Sequence, residues 1–316
     1  MRVLITGGAG FIGAALAAYL TRIAGYDLVV LDDESLGRRE ALGDLPLCFI
    51  RGDVREPKQI TQAMAGCAAV VHLAADTRVM GSISDPQSNF SSNVIGTFNV
   101  LEAARSLGIR RVISASTGGA ILGDVEPPAH EDMVARPLSP YGASKLAGEG
   151  YCSAYAAAYD LPVASLRFSN IYGPGSLHKG SVVAHFFKSI LNSQPLIVYG
   201  DGNQERDFLF IDDLVVGIAR ALASDARGVF QLGSGRPTSV SQLISTLREV
   251  VGPEYPFSVQ YATPRRGELR RTWCKIDRAR TAFGFEPETP LVEGLRRTWT
   301  WFREATAGDA MARVAT

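Results

Sequence analysis

The segment TGGAGFIG, with Gly7, Gly10 and Gly13 spaced three apart, is the strongest constraint on this chain. It stands directly after the apolar run Val3-Leu4-Ile5, and after it Ile12, Leu16, Tyr19, Leu20 and Ile23 fall on one helical face. A strand that turns into a helix so abruptly needs a position without a Cβ. A second glycine lets a pyrophosphate approach backbone N–H groups, and a third lets helix and strand pack. Glycines placed only for packing would give the same pattern, so the context further along decides. Asp32 ends the second apolar run, Leu28 to Leu31, 19 residues after Gly13. A carboxylate there accepts hydrogen bonds from both ribose hydroxyls and repels a 2′-phosphate. The expected cofactor is therefore NAD and not NADP, although Arg38 and Arg39 soften the preference. Gly7, Gly10, Phe11, Ile12, Gly13 and Asp32 are the expected cofactor contacts. Asp53 and Val54 follow the third strand, where Asp53 can meet the adenine amino group; by itself such an Asp reads as a loop-turn residue.

Further short apolar runs alternate with helical patterns at Phe49-Ile50, Val70 to Leu73, Val112-Ile113 and Val163 to Leu166. Their continuity implies strands buried on both faces, and the alternation implies right-handed crossovers. The expected fold is α/β: a Rossmann-type doubly wound parallel sheet over residues 1–169. A smaller C-terminal α/β unit is expected over residues 170–316, where glycines and loops become frequent. Phe208 to Leu222 can return to the larger unit.

Composition narrows the function classes. The 316 residues carry 32 Lys+Arg against 32 Asp+Glu, which gives no electrostatic footprint for nucleic acid or an anionic membrane. No apolar run reaches the roughly 18 residues of a membrane-spanning helix. No processing segment is visible before Val3, and Cys48, Cys67, Cys152 and Cys274 form neither a CxxC pair nor a disulfide framework. A cytoplasmic protein is expected. The histidines lack metal-ligand spacing, so no metal is expected.

Tyr141 and Lys145 lie four apart in SPYGASK, on one face of a helix that Pro140 can start. The ammonium can stabilise a phenolate and hold the nicotinamide ribose, making Tyr141 a usable base. Ser114-Ala115-Ser116-Thr117-Gly118-Gly119 follows the fifth strand at its carboxyl end, where ligands bind in open sheets. A hydroxyl there can bridge substrate oxygen and Tyr141; read alone, the stretch is a turn that bonds its own backbone.

These motifs resemble the extended short-chain dehydrogenase/reductase superfamily, in particular its NAD-dependent sugar-nucleotide epimerases and dehydratases. The resemblance runs from TGGAGFIG through HLAA at His72 to Ala75, NVIGTFNVLEAA, YGASK, RFSNIYGPG, YGDGNQERDF and RRGELR. It implies 4-epimerisation of a nucleotide sugar, a UDP-sugar before others, with UDP-glucose 4-epimerases the nearest functional group. It makes Tyr141 the acid/base, Lys145 its partner and Thr117 the hydroxyl. Asn93 and the backbone of Leu73, Ala74 and Ala75 would line the cofactor. Asn170, Arg206, Arg265 and Glu268 match positions that hold the nucleotide diphosphate and its ribose, as a guanidinium fork and a carboxylate would. Without the match, Arg206 beside Asp207 reads as a surface ion pair, and Arg265-Arg266 as solvated charge.

One departure bears on the hydroxyl. Many relatives carry Tyr where Leu122 precedes Gly123 here, and counting back in some relatives' register lands on Gly118. Thr117 is taken because the double glycine replaces a bulkier run; Ser116 is the alternative. Dehydratases of the superfamily place an Asp-Glu pair directly after the Thr, where Gly118 and Gly119 stand, and that argues against water elimination. A decarboxylase, a 4-ketoreductase or a non-catalytic NAD-binding regulator are the other readings, and the last commonly lacks the Tyr or Lys. The resemblance also supports a homodimer through the helices near Val94 to Leu107 and Tyr141 to Tyr159, with Tyr151, Ala154, Tyr155 and Ala158 meeting a mate. His178 and Lys179 can contact a phosphate or a sugar carboxylate, but such a loop pair is more often merely exposed, and both stay outside the expected site.

Overall fold

The computed structural model describes residues 1–264 and 269–314. Among the described residues thirteen strands are formed: β1 (Arg2–Thr6), β2 (Asp27–Asp32), β3 (Cys48–Arg51), β4 (Ala69–His72), β5 (Arg111–Thr117), β6 (Val163–Phe168), β7 (Asn170–Tyr172), β8 (Leu196–Tyr199), β9 (Glu205–Phe210), β10 (Gly228–Leu232), β11 (Pro237–Ser239), β12 (Val259–Ala262) and β13 (Arg271–Thr272). Seven of them make one parallel sheet in the order β10-β6-β5-β4-β1-β2-β3.

The continuous apolar runs have a direct physical reading. Val3, Ile5, Leu28, Val30 and Val71 enter the core on one face, whereas Leu4, Val29, Leu31, Val70 and Val112 enter a second core on the other. Successive side chains of a strand point to opposite faces, so a sheet covered twice needs apolar residues at every position. The strand order reverses at β1, which has β2 on one side and β4 on the other. Ligands of open sheets bind at such a switch point, outside the carboxyl ends of the strands.

The large sheet takes in residues beyond 170: β10, within the range expected for the second unit, pairs with β6 from Gly228↔Ala164 to Leu232↔Phe168 and extends that sheet. The helix Ile211–Ala223 packs against the helix Phe11–Arg22 on that sheet's face. An apolar strand such as Val229 to Leu232 carries no mark of which edge it joins; the free edge of β6 decides. What stays outside the large sheet is built around β9, flanked by antiparallel β11 and by parallel β13 and β7, with β8 and β12 pairing separately. The helices Val182–Leu191, Val240–Val251 and Leu291–Val314 pack around these strands. Among the described residues, no helix is long and apolar enough to cross a membrane.

Candidate active site and cofactor cleft

The glycine turn is dictated by contact. Gly7 has φ +69°, and a Cβ there would stand 2.6 Å from the Ala74 amide nitrogen and 2.8 Å from the Leu73 carbonyl carbon. A Cβ on Gly13 would meet the Gly7 carbonyl oxygen at 2.3 Å. The turn after β1 and the segment Leu73 to Ala75 after β4 are thus in backbone contact. Gly10 caps the helix Phe11–Arg22 without any side-chain hydrogen bond, and the first turn holds no acidic residue. The first amides of a helix lack intrahelical partners and carry partial positive charge, so they suit a pyrophosphate.

Asp32 is buried, its Oδ2 accepting from the Ala9 amide at 2.9 Å and its Oδ1 from the Glu34 amide at 2.8 Å. Burial raises its pKa and the two amide bonds oppose that rise. The carboxylate first ties the glycine turn to the end of β2; each oxygen has a second lone pair to offer a ribose diol. Asp53 is engaged locally instead. It takes the Arg55 Nε at 2.8 Å, and that hydrogen bond holds its carboxyl below the usual range. The loop-turn reading of Asp53 therefore describes what the side chain does, while Val54 is buried beside Gly96.

Asn93, which the resemblance places at the cofactor, has protein partners for its amide. It lies in a π-helical turn, Ser91–Ile95, and is buried. Its Oδ1 accepts from the Asp76 amide at 2.8 Å, and its Nδ2 donates to the Asp76 carbonyl at 3.0 Å and to Ser144 Oγ at 2.9 Å. It therefore acts on the cleft through the segment after β4 and the helix Pro140–Tyr159. A buried Asn must satisfy its whole amide, and a peptide group is the nearest complement.

Sequence reasoning assigned no role to His72. Its Nδ1 lies 2.7 Å from Thr6 Oγ1 and its Nε2 3.0 Å from Thr97 Oγ1. Thr97 donates its own proton to the Asn93 carbonyl at 2.6 Å, so Nε2–H donates to Thr97 and Nδ1 accepts from Thr6. Burial, with the Lys145 charge second, pushes the His72 pKa down to about 3, which keeps the ring neutral. This relay joins β1, β4 and the neighbouring helix directly behind the Leu73 to Ala75 segment. A histidine ending an otherwise apolar strand was the available signal.

Ser139 caps the helix Pro140–Tyr159 and accepts from the Gly142 amide at 3.2 Å, with Pro140 in the first turn as its fixed φ favours. Gly142 is required there, because a Cβ would fall 2.1 Å from the Ala120 carbonyl oxygen. The Tyr141 amide donates to Ser82 Oγ at 3.1 Å, a second anchor that sequence reasoning missed. Burial pushes the Tyr141 phenol up to about 12, against a hydrogen bond with Thr117 that lowers it, and Asp76 raises it further. Ser116 turns the other way, donating to Glu149 Oε1 at 2.6 Å. Successive residues of β5 face opposite ways, so Ser116 and Thr117 are turned to different sides of the strand.

Lys145 Nζ donates to the Ala115 carbonyl at 3.0 Å. The ammonium is thus turned to β5 in this arrangement. Burial lowers its own pKa to about 8.

Behind Ser116 lies a buried ion pair. Arg167 donates from Nε and Nη2 to the two Glu149 oxygens, each at 2.8 Å, and its Nη1 has no partner among the described residues. Glu149→Ala should destabilise the protein by about 3–5 kcal/mol, because it leaves a guanidinium buried and uncompensated. The double variant Glu149→Met/Arg167→Met should lose much less. Urea midpoints of the three proteins check this, and an equal loss in the single and double variants would contradict it.

At the far end, Asn170 is exposed at the start of β7, and Arg206 on β9 donates from Nη1 to the Glu205 carbonyl at 2.8 Å. The neighbouring Asp207 is buried and accepts from the amides of Ser234, Gly235 and Cys274. Adjacent strand residues face opposite ways, so the surface-pair reading of Arg206 with Asp207 does not hold. Arg265 and Glu268 lie outside the described residues.

Residues 3–233 match the model of the NAD dependent epimerase/dehydratase family. The chain is 37% identical to a UDP-glucose 4-epimerase of Mycolicibacterium smegmatis over 316 aligned residues, covering 96% of this chain and 99% of that protein. A UDP-glucose 4-epimerase of Thermotoga maritima, solved with UDP-glucose, superposes with a TM-score of 0.92 at 33% identity, covering 97% of this chain and all of that one. The Thermus thermophilus UDP-glucose 4-epimerase, solved in complex with NAD, gives 0.89 at 36% identity, covering 96% and 100%.

Proposed function

Because the chain belongs to the NAD dependent epimerase/dehydratase family, we propose that it inverts C4 of a UDP-sugar through a transient 4-keto sugar. The observation that carries this reading is the placing of the Tyr141 phenol near Thr117, which lowers its pKa against burial, with Lys145 one helical turn on and two glycines directly after Thr117. NAD, the family's cofactor, would when bound supply the hydride acceptor and donor for C4. With the positive charges of Lys145 and a bound nicotinamide beside it, Tyr141 would act as the phenolate, receive the proton of the C4 hydroxyl, and return it when the ketone is reduced from the opposite face. Thr117 holds the C4 oxygen against the phenol. Lys145 binds the nicotinamide ribose. The amides of Phe11, Ile12 and Gly13 hold the pyrophosphate, and Asp32 holds the adenosine ribose while Asp53 and Asn93 shape its surroundings. Arg206 and Asn170, with Arg265 and Glu268, take the UDP end. Elimination of water from C5 and C6 needs a further acid next to Thr117, and Gly118 and Gly119 supply none.

A cytoplasmic homodimer is part of the reading. The four cysteines are free, which fits a reducing compartment. The helices Gly96–Ser106 and Pro140–Tyr159 leave Phe98, Tyr151 and Tyr159 exposed. Tyr155, expected to meet a mate, is instead buried within the protomer with its hydroxyl on Glu102 Oε1 at 2.6 Å. Light scattering at micromolar concentration reads the mass directly.

Incubation with UDP-glucose, UDP-galactose, UDP-N-acetylglucosamine and UDP-glucuronate, with products resolved by mass and NMR, tests the activity. At least one should give a product of unchanged mass with C4 inverted. A loss of 18 Da instead would assign a dehydratase.

A further inference from the structure

The loop between β7 and the helix Val182–Leu191 reaches back to the cofactor turn. It is internally bonded: buried Ser176 donates from Oγ to the Gly173 carbonyl at 2.7 Å, and its own carbonyl accepts the Lys179 amide at 2.9 Å. Gly175, at φ +87°, lies so close to Phe11 that a Cβ would touch its ring at 3.5 Å. Lys179 then lays its ammonium 5.0 Å from the centre of the same ring and donates to the Ile171 carbonyl at 2.8 Å.

That ammonium is poorly compensated. Burial alone lowers its pKa to about 8, with no neighbouring charge contributing, and among the described residues no carboxylate pairs with it. Of its three N–H donors only one has a carbonyl. Phe11 is the first residue of the helix whose opening amides are themselves uncapped and without an acidic neighbour. Two positive features from different parts of the chain thus stand together, and each alone disfavours the other. An anion between them satisfies both.

We propose that Lys179 is a diphosphate ligand, which the loop after β7 brings to the glycine turn to close over a bound nucleotide. This rests on reading the cleft as a site for NAD and a nucleotide sugar, and it adds a residue that the glycine motif does not contain. The diphosphate is that of NAD or that of the sugar nucleotide; both offer the same chemistry to an ammonium.

The test uses the full chain stripped of NAD. Lys179→Gln and Lys179→Arg are titrated calorimetrically with NAD, adenosine, UDP and uridine. Lys179→Gln should weaken NAD, UDP or both by about 10- to 100-fold, leave the two nucleosides within twofold, and be largely rescued by Lys179→Arg. A loss confined to NAD identifies the cofactor pyrophosphate, and one confined to UDP the substrate diphosphate. Unchanged binding of both in a folded Lys179→Gln protein overturns the proposal and leaves Lys179 as a cover for Phe11. Amine acylation of the wild type, read by peptide mass, covers the case of a poorly folded variant: NAD or UDP should protect Lys179, and equal labelling with and without both overturns the proposal. Normal binding with no epimerisation of any sugar would sink the functional reading alone.

Discussion

Tyr141→Phe is expected to fold, to bind NAD as the wild type does, and to lose about 10²–10⁴ in kcat. The substitution removes one oxygen and keeps the ring that packs near Thr117. On the proposed mechanism, what is lost is the group that takes the C4 hydroxyl proton, and Thr117 cannot replace it, because an alcohol hydroxyl ionises far less readily than a phenol. The phenol is pushed up to about 12 in the cofactor-free protein, chiefly by burial. A folded pKa above the unfolded value of about 10 means that the neutral phenol stabilises the fold. That contribution is fully present below pH 10 and is lost as pH rises through about 12. Urea midpoints of wild type and Tyr141→Phe should therefore converge or cross between these values, while their activities differ at every pH. Full turnover by Tyr141→Phe would remove Tyr141 from the mechanism. A stability difference that does not depend on pH would show that the phenol is not held neutral by the fold.

The parts legible in the sequence are those whose cause is local. The apolar runs of β1, β2 and β4 announce burial on both faces, and Gly7, Gly10 and Gly13 announce a turn that only a missing Cβ permits. Tyr141 and Lys145 share a helix face by spacing alone. Groups whose partners lie far along the chain were not legible. His72 takes its meaning from Thr6 and Thr97, which are 66 and 25 residues away. Asn93 reads as a cofactor contact until Asp76 and Ser144 occupy its amide. The choice between Ser116 and Thr117 needed only the alternation of a strand, but its direction is set by Glu149 and Arg167 behind it. β10 shows the same limit at the level of the fold. Any short apolar strand can add to an edge, and the edge it finds is a fact of three dimensions.

Lys145→Met is expected to move stability and activity in opposite directions. The ammonium is buried, and its pKa is lowered to about 8, first by burial, with Cys152 and Glu149 acting the other way. A depressed lysine pKa gives stability that is present above the unfolded value of about 10.4 and lost as pH falls through the folded one. Near neutral pH the charged side chain therefore costs the fold roughly 3 kcal/mol. Methionine keeps the length of the stem and gives up the hydrogen bond to Ala115, worth about 0.5–1.5 kcal/mol. The cofactor-free variant should be more stable by about 2 kcal/mol at pH 7, melting a few degrees higher, and the gain should vanish above about pH 10. Activity should fall by about 10²–10⁴, with weaker NAD binding, because the ribose loses its charged donor. The two measurements separate the possible roles of this side chain. A variant both inactive and less stable would make Lys145 a structural tie to the end of β5. One that is more stable and fully active would leave the buried charge without a purpose. Higher stability with lost turnover is the signature of a group whose burial is tolerated for chemistry.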